Sequence, residues 1–141
     1  MKKRIVVYQK YNGLCAYSGK PLDSDWQIDH MVSKMKHEYN SRILCPDVET
    51  LKERMKQVNH IDNLMPVLKI VNHYKRGFDL DGFRTYMNNF HVRLSKLPKN
   101  PKSAKGIKRK QYLYIIADIF DIKTDKPFSG VFYFETLQNV K

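Results

Sequence analysis

The sequence predicts an α+β domain, and three features carry that reading. The apolar run at 5–7 and the strand-spaced Trp26, Ile28 and Val32 lie among turn residues; residues 79–97 repeat apolar side chains every three or four positions; and 108–137 reads as a helix followed by a strand. At 141 residues the chain suits one domain with a modest core. Lysine and arginine number 26 against 14 acids, a net charge of +12 that favours partners dense in negative charge, nucleic acid first. Hydrophobic residues at 42% and aromatics at 12% exclude a disordered basic tail, because they bury enough apolar surface to offset chain entropy. Two cysteines, Cys15 and Cys45, supply neither a disulfide framework nor a four-thiolate zinc site. No run approaches the roughly 18 apolar residues of a membrane span, and no secretory leader is visible, so a reducing cytoplasm is the expected compartment.

Residues 5–17 open with Ile5, Val6 and Val7 and break at Asn12-Gly13, which fits a short strand or a frayed helix. Turn chemistry returns at Gly19-Lys20-Pro21-Leu22-Asp23, and Trp26, Ile28 and Val32 are spaced for strand packing, so 13–32 reads as a hairpin-like pair of short strands. Residues 34–42 are polar and aperiodic, a surface loop. Pro46 and Asp47 announce an inserted helix through Gln57, with Leu51 and Met55 four apart. After turn residues at 59–63, Pro66 suits the first turn of a helix that turns Val67, Leu68, Ile70 and Val71 inward until Gly77 stops it. One helix over 79–97 then carries Leu80, Phe83, Met87, Phe90 and Leu94 on a single stripe.

Lysine-rich residues 96–110 contain Pro98 and Pro101 and read as a linker. A helix over 108–120 places Leu113, Ile116, Ala117 and Phe120 on one side, and 131–137 reads as a strand. The expected organisation is a core with its flanking helix at 1–97, a basic linker at 98–107, and a helix-strand extension at 108–141 that packs on the core or on a second protomer.

Of the five histidines, His30 has the most informative setting, directly after Asp29 and flanked by Ile28, Met31 and Val32. Neighbours on a strand point to opposite faces, so the two reach one site together only at a strand end or a bulge. Alone, such a pair is far more often a core histidine with a salt bridge. Its context is more specific. Asp62-Asn63-Leu64 forms a turn, and nine residues after Asn63 comes Asn72-His73-Tyr74-Lys75 on a helix. In this order these pieces resemble the HNH nuclease family, whose core is a ββα-metal unit. Leu14-Cys15-Ala16-Tyr17-Ser18-Gly19-Lys20-Pro21-Leu22 is similar to the Cys-x-x-Cys-Gly-x-Pro-Leu opening of its zinc-stapled members. The resemblance spans 14–77.

The resemblance implies a metal-dependent endonuclease that hydrolyses DNA phosphodiester bonds. His30 then activates water as general base, while Asp29 and Asn72 hold one divalent ion, Mg²⁺ or Mn²⁺ by the hardness of their oxygens. His73 competes with Asn72 as second ligand. Asn63 ties the long loop between the strands to backbone and so holds the histidine in orientation. Lys75 or Arg76 contacts the scissile phosphate, a solvated helix C-terminus being the plainer alternative. The zinc-staple positions fall on Cys15, Ser18, Leu68 and Val71, so no structural zinc is expected and Leu68 and Val71 should pack as core. Between His30 and Asn63 lie more residues than a compact relative needs, with the 46–57 helix filling the gap. His37, His60 and His91 match nothing in the pattern and read as surface or packing residues, and Cys45 as a buried small hydrophobe. Tyr17 and Trp26 read as core aromatics, with stacking on bases as the minority alternative.

Residues 126–135 resemble a C-terminal segment of small HNH proteins from phages and mobile elements, which implies a bacterial or phage-infected cell. Double-stranded DNA is the expected partner, no membrane is, and a homodimer or a partner protein is the expected source of specificity. The rival reading is a non-catalytic HNH-like module that holds DNA or RNA. Finally, Lys96, Lys99, Lys102 and Lys105 recur every three residues, and a polyproline II segment would align them along one edge as a comb for phosphates. A solvated linker is the alternative.

Overall fold

A computed structural model describes residues 2–32 and 47–138; the expected loop at 34–42, His37 and Cys45 lie outside them. The class is α+β, with helices around a small antiparallel sheet of two strands, β1 (Gln27–His30) and β2 (Leu64–Val67). Gln27 stands opposite Val67 and His30 opposite Leu64. The partner of β1 is therefore not the expected neighbour within 13–32, where only an isolated bridge joins Leu14 to Pro21. A strand covered on both faces needs an apolar partner, and Leu64-Met65-Pro66-Val67 is buried at every position. Pro66 accordingly lies in β2 rather than in the first turn of a helix. Without an N–H it still contributes its carbonyl, which accepts from the Ala16 N–H at 2.8 Å.

The start of the chain is helical, α1 (Lys3–Gln9), which settles the strand-or-helix alternative. Arg4 stacks 3.9 Å from the Trp26 ring centre and donates to the Trp26 carbonyl at 2.6 Å. Gly13, at φ +80°, turns the chain after α1; any Cβ there would stand 2.8 Å from the Tyr8 hydroxyl. The inserted helix is α2 (Val48–Lys56), capped by the Asp47 carboxylate, which accepts from the N–H groups of Glu49 and Thr50 at 3.1 Å each. Two 3₁₀ turns, Gln57–Asn59 and Ile61–Asn63, lead into β2, and α3 (Lys69–Lys75) follows it.

The stripe expected on one helix is carried by two, α4 (Leu80–Asn88) and α5 (Phe90–Ser95), divided at Asn89. Phe83, Met87, Phe90 and Leu94 are nonetheless all buried, so the break leaves the inward face continuous. Helix α6 (Ala104–Phe120) starts inside the expected linker, because Ser103 caps it by accepting from Gly106 N–H at 3.0 Å. This corrects the lysine comb: Lys96 has helical backbone at the end of α5 and Lys105 lies in the first turn of α6, so no continuous extended segment aligns all four.

The expected strand at 131–137 is instead a helix, α7 (Tyr133–Gln138). Its first turn is fixed by groups far away in sequence. Tyr133 and Phe134 donate their N–H groups to the carbonyls of Tyr17 and Ala16 at 3.1 and 2.8 Å, and Glu135 accepts from Phe132 N–H at 2.9 Å. Arg84 of α4 grips both oxygens of Glu135, at 2.6 and 2.7 Å, and donates to the Gly130 carbonyl at 2.8 Å.

The two sheet faces bury different cores. Met65 and Val67 join the large cluster that holds Cys15, Tyr17, Val71, Tyr74, Phe83 and Phe132. Leu64, with Ile28 against it, packs on Val7 and Trp26 in a smaller one.

The guanidinium of Arg84 holds the Glu135 carboxyl below its ordinary value. A lowered folded-state pKa stabilises above the ordinary glutamate value and is lost as pH falls through the lowered one. Arg84→Met should therefore lower Tm at neutral pH and also flatten its fall between about pH 6 and pH 3, read by thermal melts across that range.

Candidate functional site

On β1 the side chains alternate, and their contacts show where each goes. Asp29 faces the large core and is only 9% exposed. Its Oδ2 accepts from the Tyr17 hydroxyl at 2.6 Å and lies 3.0 Å from Lys75 Nζ. Lys75, 1% exposed, also donates to the Phe78 carbonyl at 2.7 Å. A buried carboxylate needs both a counter-charge and hydrogen bonds, and this one has both. Burial, then the charge of Asp29, push the Tyr17 hydroxyl well above its ordinary pKa, so it remains a donor. Phe83, Phe132 and Phe134 stand edge-on around the Tyr17 ring at 5.6, 5.4 and 6.1 Å.

Gln27 shares the face of Asp29, and its Oε1 accepts from Asn72 Nδ2 at 2.7 Å. Asn72 and Lys75 are three residues apart on α3, hence neighbours on one helix face. Asp29 and Asn72 thus flank one seam between β1 and α3. Among the described residues, nothing donates to Asp29 Oδ1 or to Asn72 Oδ1. These two oxygens are of the kind that a hard divalent cation takes, with water and phosphate filling the remaining positions. The donor set fits Mg²⁺ or Mn²⁺ on that chemistry; among the described residues no trio of His, Cys, Asp and Glu is grouped for a metal.

His73, the competing ligand, turns elsewhere: its exposed ring meets Tyr112 of α6 edge-on at 6.1 Å. Lys75 also needs correcting. Buried against Asp29, it is not available to a phosphate, whereas Arg76, exposed at the end of α3, is. Lys96, Lys99, Lys102 and Lys105 are all exposed.

His30 is the last residue of β1 and sits half-buried on the opposite side from Asp29. Its Nε2 lies 2.9 Å from Asn59 Oδ1. An amide oxygen only accepts, so in the neutral imidazole this contact favours the tautomer with its proton on Nε2 and its lone pair on Nδ1. Asn63 clamps the strand exit: its Oδ1 accepts from Val32 N–H at 2.8 Å, its Nδ2 donates to the Val32 carbonyl at 3.1 Å, and its own carbonyl accepts from Met31 N–H at 2.9 Å. The structure therefore gathers Asp29, Asn72, Gln27, Tyr17 and Lys75 on one side, and His30, Asn59 and Asn63 at the strand end.

Tyr17, Gln27 and Asn59 were not singled out for these roles by the sequence. Gln27 had a signal, since two residues before Asp29 is the same strand face; Asn59 had none. Leu68 and Val71, at the zinc-staple positions, are buried with Cys15 in the large core. His60 is exposed beside Asp62, and His91 is partly buried. No described helix is long and apolar enough to cross a membrane. In comparisons with known proteins, no family model, curated protein or solved structure matches the chain.

Removing one member of a buried ion pair strands the other. Lys75→Met should cost about 3–5 kcal/mol in urea unfolding, and adding Asp29→Asn should recover part of that loss. Because apolar side chains fill the staple positions, a circular dichroism melt in EDTA should match the melt without it.

Proposed function

We propose that the chain is a metal-dependent endonuclease of the HNH type that hydrolyses DNA phosphodiester bonds. The observation that carries this reading is the seam: two paired strands and the helix that follows the second, with the oxygens of Asp29 and Asn72 along it and His30 at the end of β1. A divalent ion held by Asp29 and Asn72, Mg²⁺ or Mn²⁺, would neutralise charge developing on the phosphate and leaving oxygen. His30 takes a proton from the attacking water at Nδ1, and the Asn59 amide oxygen, accepting from Nε2–H, selects the neutral tautomer whose lone pair is on Nδ1. Asn63 keeps the strand end, and with it the imidazole, from shifting. Gln27 holds the Asn72 amide nitrogen, which leaves the amide oxygen facing away from it. Tyr17 and Lys75 hold one oxygen of Asp29 and leave the other. Arg76 offers a cation to the phosphate, and the net charge of +12 draws duplex DNA to the surface. Structural zinc has no part in this reading, and the cytoplasm of a bacterial or phage-infected cell is the compartment that goes with it.

One observation favours a second reading. Lys75 already neutralises Asp29, as in a module that keeps the frame and only binds DNA or RNA. Supercoiled plasmid separates the two. The nuclease nicks or linearises it with Mg²⁺ or Mn²⁺ and not in EDTA, and His30→Ala abolishes cutting while retaining DNA binding. Asn59→Leu should lower the rate by about 10- to 100-fold, the usual effect of losing a group that orients a site residue. Binding without cutting by the wild type, at any of these metals, selects the second reading.

A further inference from the structure

We propose that the segment before α6 and the first half of that helix form a binding groove for single-stranded nucleic acid, apart from the β1–α3 seam. The proposal rests on the nucleic-acid reading above and adds the strand state and the residue that recognises it. The groove encloses about 410 Å³, with Pro101, Ile107 and Tyr114 among its walls and Lys99 and Lys110 at its edge. Ile107 and Tyr114 are seven residues apart, two helical turns, and so share one face of α6. They are 41% and 48% exposed, large apolar groups left open to water while Leu113, Ile116 and Ala117 fill the inward side.

Charge selects the occupant. From 82 to 117 the sequence has no acid, and Lys99, Lys102, Lys105, Lys108 and Arg109 are exposed around this groove and the start of α6. Lys110 bridges the two walls, donating to the Lys99 carbonyl at 2.6 Å and lying 6.0 Å from the Tyr114 ring centre. Cations beside an aromatic and apolar wall match a polyanion that also presents flat, unpaired rings. In a duplex the base faces are stacked away and only phosphates and groove edges are offered. A single strand offers both at once, its phosphates to the lysines and a base to Tyr114.

The test is made on the full chain in EDTA, so that it reads binding whether or not the protein cuts. Fluorescence anisotropy compares an oligothymidylate of about 12 nucleotides, within the span that one such surface covers, with a hairpin duplex. Tyr114→Ala should weaken binding to the single strand by at least about five-fold and barely alter the duplex, while Tyr114→Phe keeps wild-type affinity. Replacing Lys99 and Lys102 by Gln should lower the salt slope on the single strand by up to about 1.4, at 0.7 per contact. Photocrosslinking of a halogenated-uracil oligonucleotide to the wild type should place the adduct on Tyr114, a readout that needs no variant. Binding to the duplex alone, unchanged affinity in Tyr114→Ala with the adduct elsewhere, or a dimer in sedimentation that Tyr114→Ala dissolves would each overturn the groove. Failure of the plasmid experiment, by contrast, would leave these measurements unaffected.

Discussion

An ionised carboxylate in an aromatic core has to be neutralised from within the protein, and the pairing of Asp29 with Lys75 at 3.0 Å does this here. Three parts of the chain meet at that charge. Asp29 comes from β1, Lys75 from α3, and the Tyr17 hydroxyl from the loop before β1. The same loop supplies the carbonyls on which α7 begins, so the position of the C-terminal helix is tied to the residue that donates to Asp29. Breaking the pair would leave one uncompensated charge under the rings of Phe83, Phe132 and Phe134, which is why the cost falls on the whole fold rather than on one contact.

Two strands of four residues are marginal on their own, and this sheet stands because each face is covered by a different core. Lys10 adds a lateral tie, donating to the carbonyls of Ile61 and Leu64 at 2.9 and 3.0 Å, where the 3₁₀ turn passes into β2. Burial lowers its pKa and nearby Asp62 works in the other direction. The two-faced arrangement also divides the labour: the inner face of β1 keeps a charge dry, and its end presents an imidazole to solvent.

Periodicity made the inward stripe from Leu80 to Leu94 legible, and Asp47 announced α2, because each signal is local. Errors arose where a distant group decides. Pro66 suits a helix start in isolation, yet the carbonyl it offers Ala16 and its pairing with Ile28 put it in a strand. The run Val131-Phe132-Tyr133-Phe134 suits a strand, until Glu135 caps Phe132 and Arg84 holds Glu135 from α4. Lys75 reads in the sequence as a phosphate contact or a solvated helix end, and only the fold reveals that its ammonium is enclosed. The candidate residues Asp29, His30, Asn63 and Asn72 could be listed from motif order, and Gln27 follows from strand alternation, but the partners Tyr17 and Asn59 come from other segments, which spacing does not report.

The rings that wall off the Asp29 charge have a further consequence for synthesis of the protein. Phe132 and Phe134 lie more than a hundred positions after Asp29. When Asp29 and Lys75 have both been added to the growing chain, two of the three rings around Tyr17 do not yet exist. The nascent polypeptide must carry this ion pair wet and loosely held, and its desolvation waits for Phe132 and Phe134, so the seam matures only after residue 134 has been added.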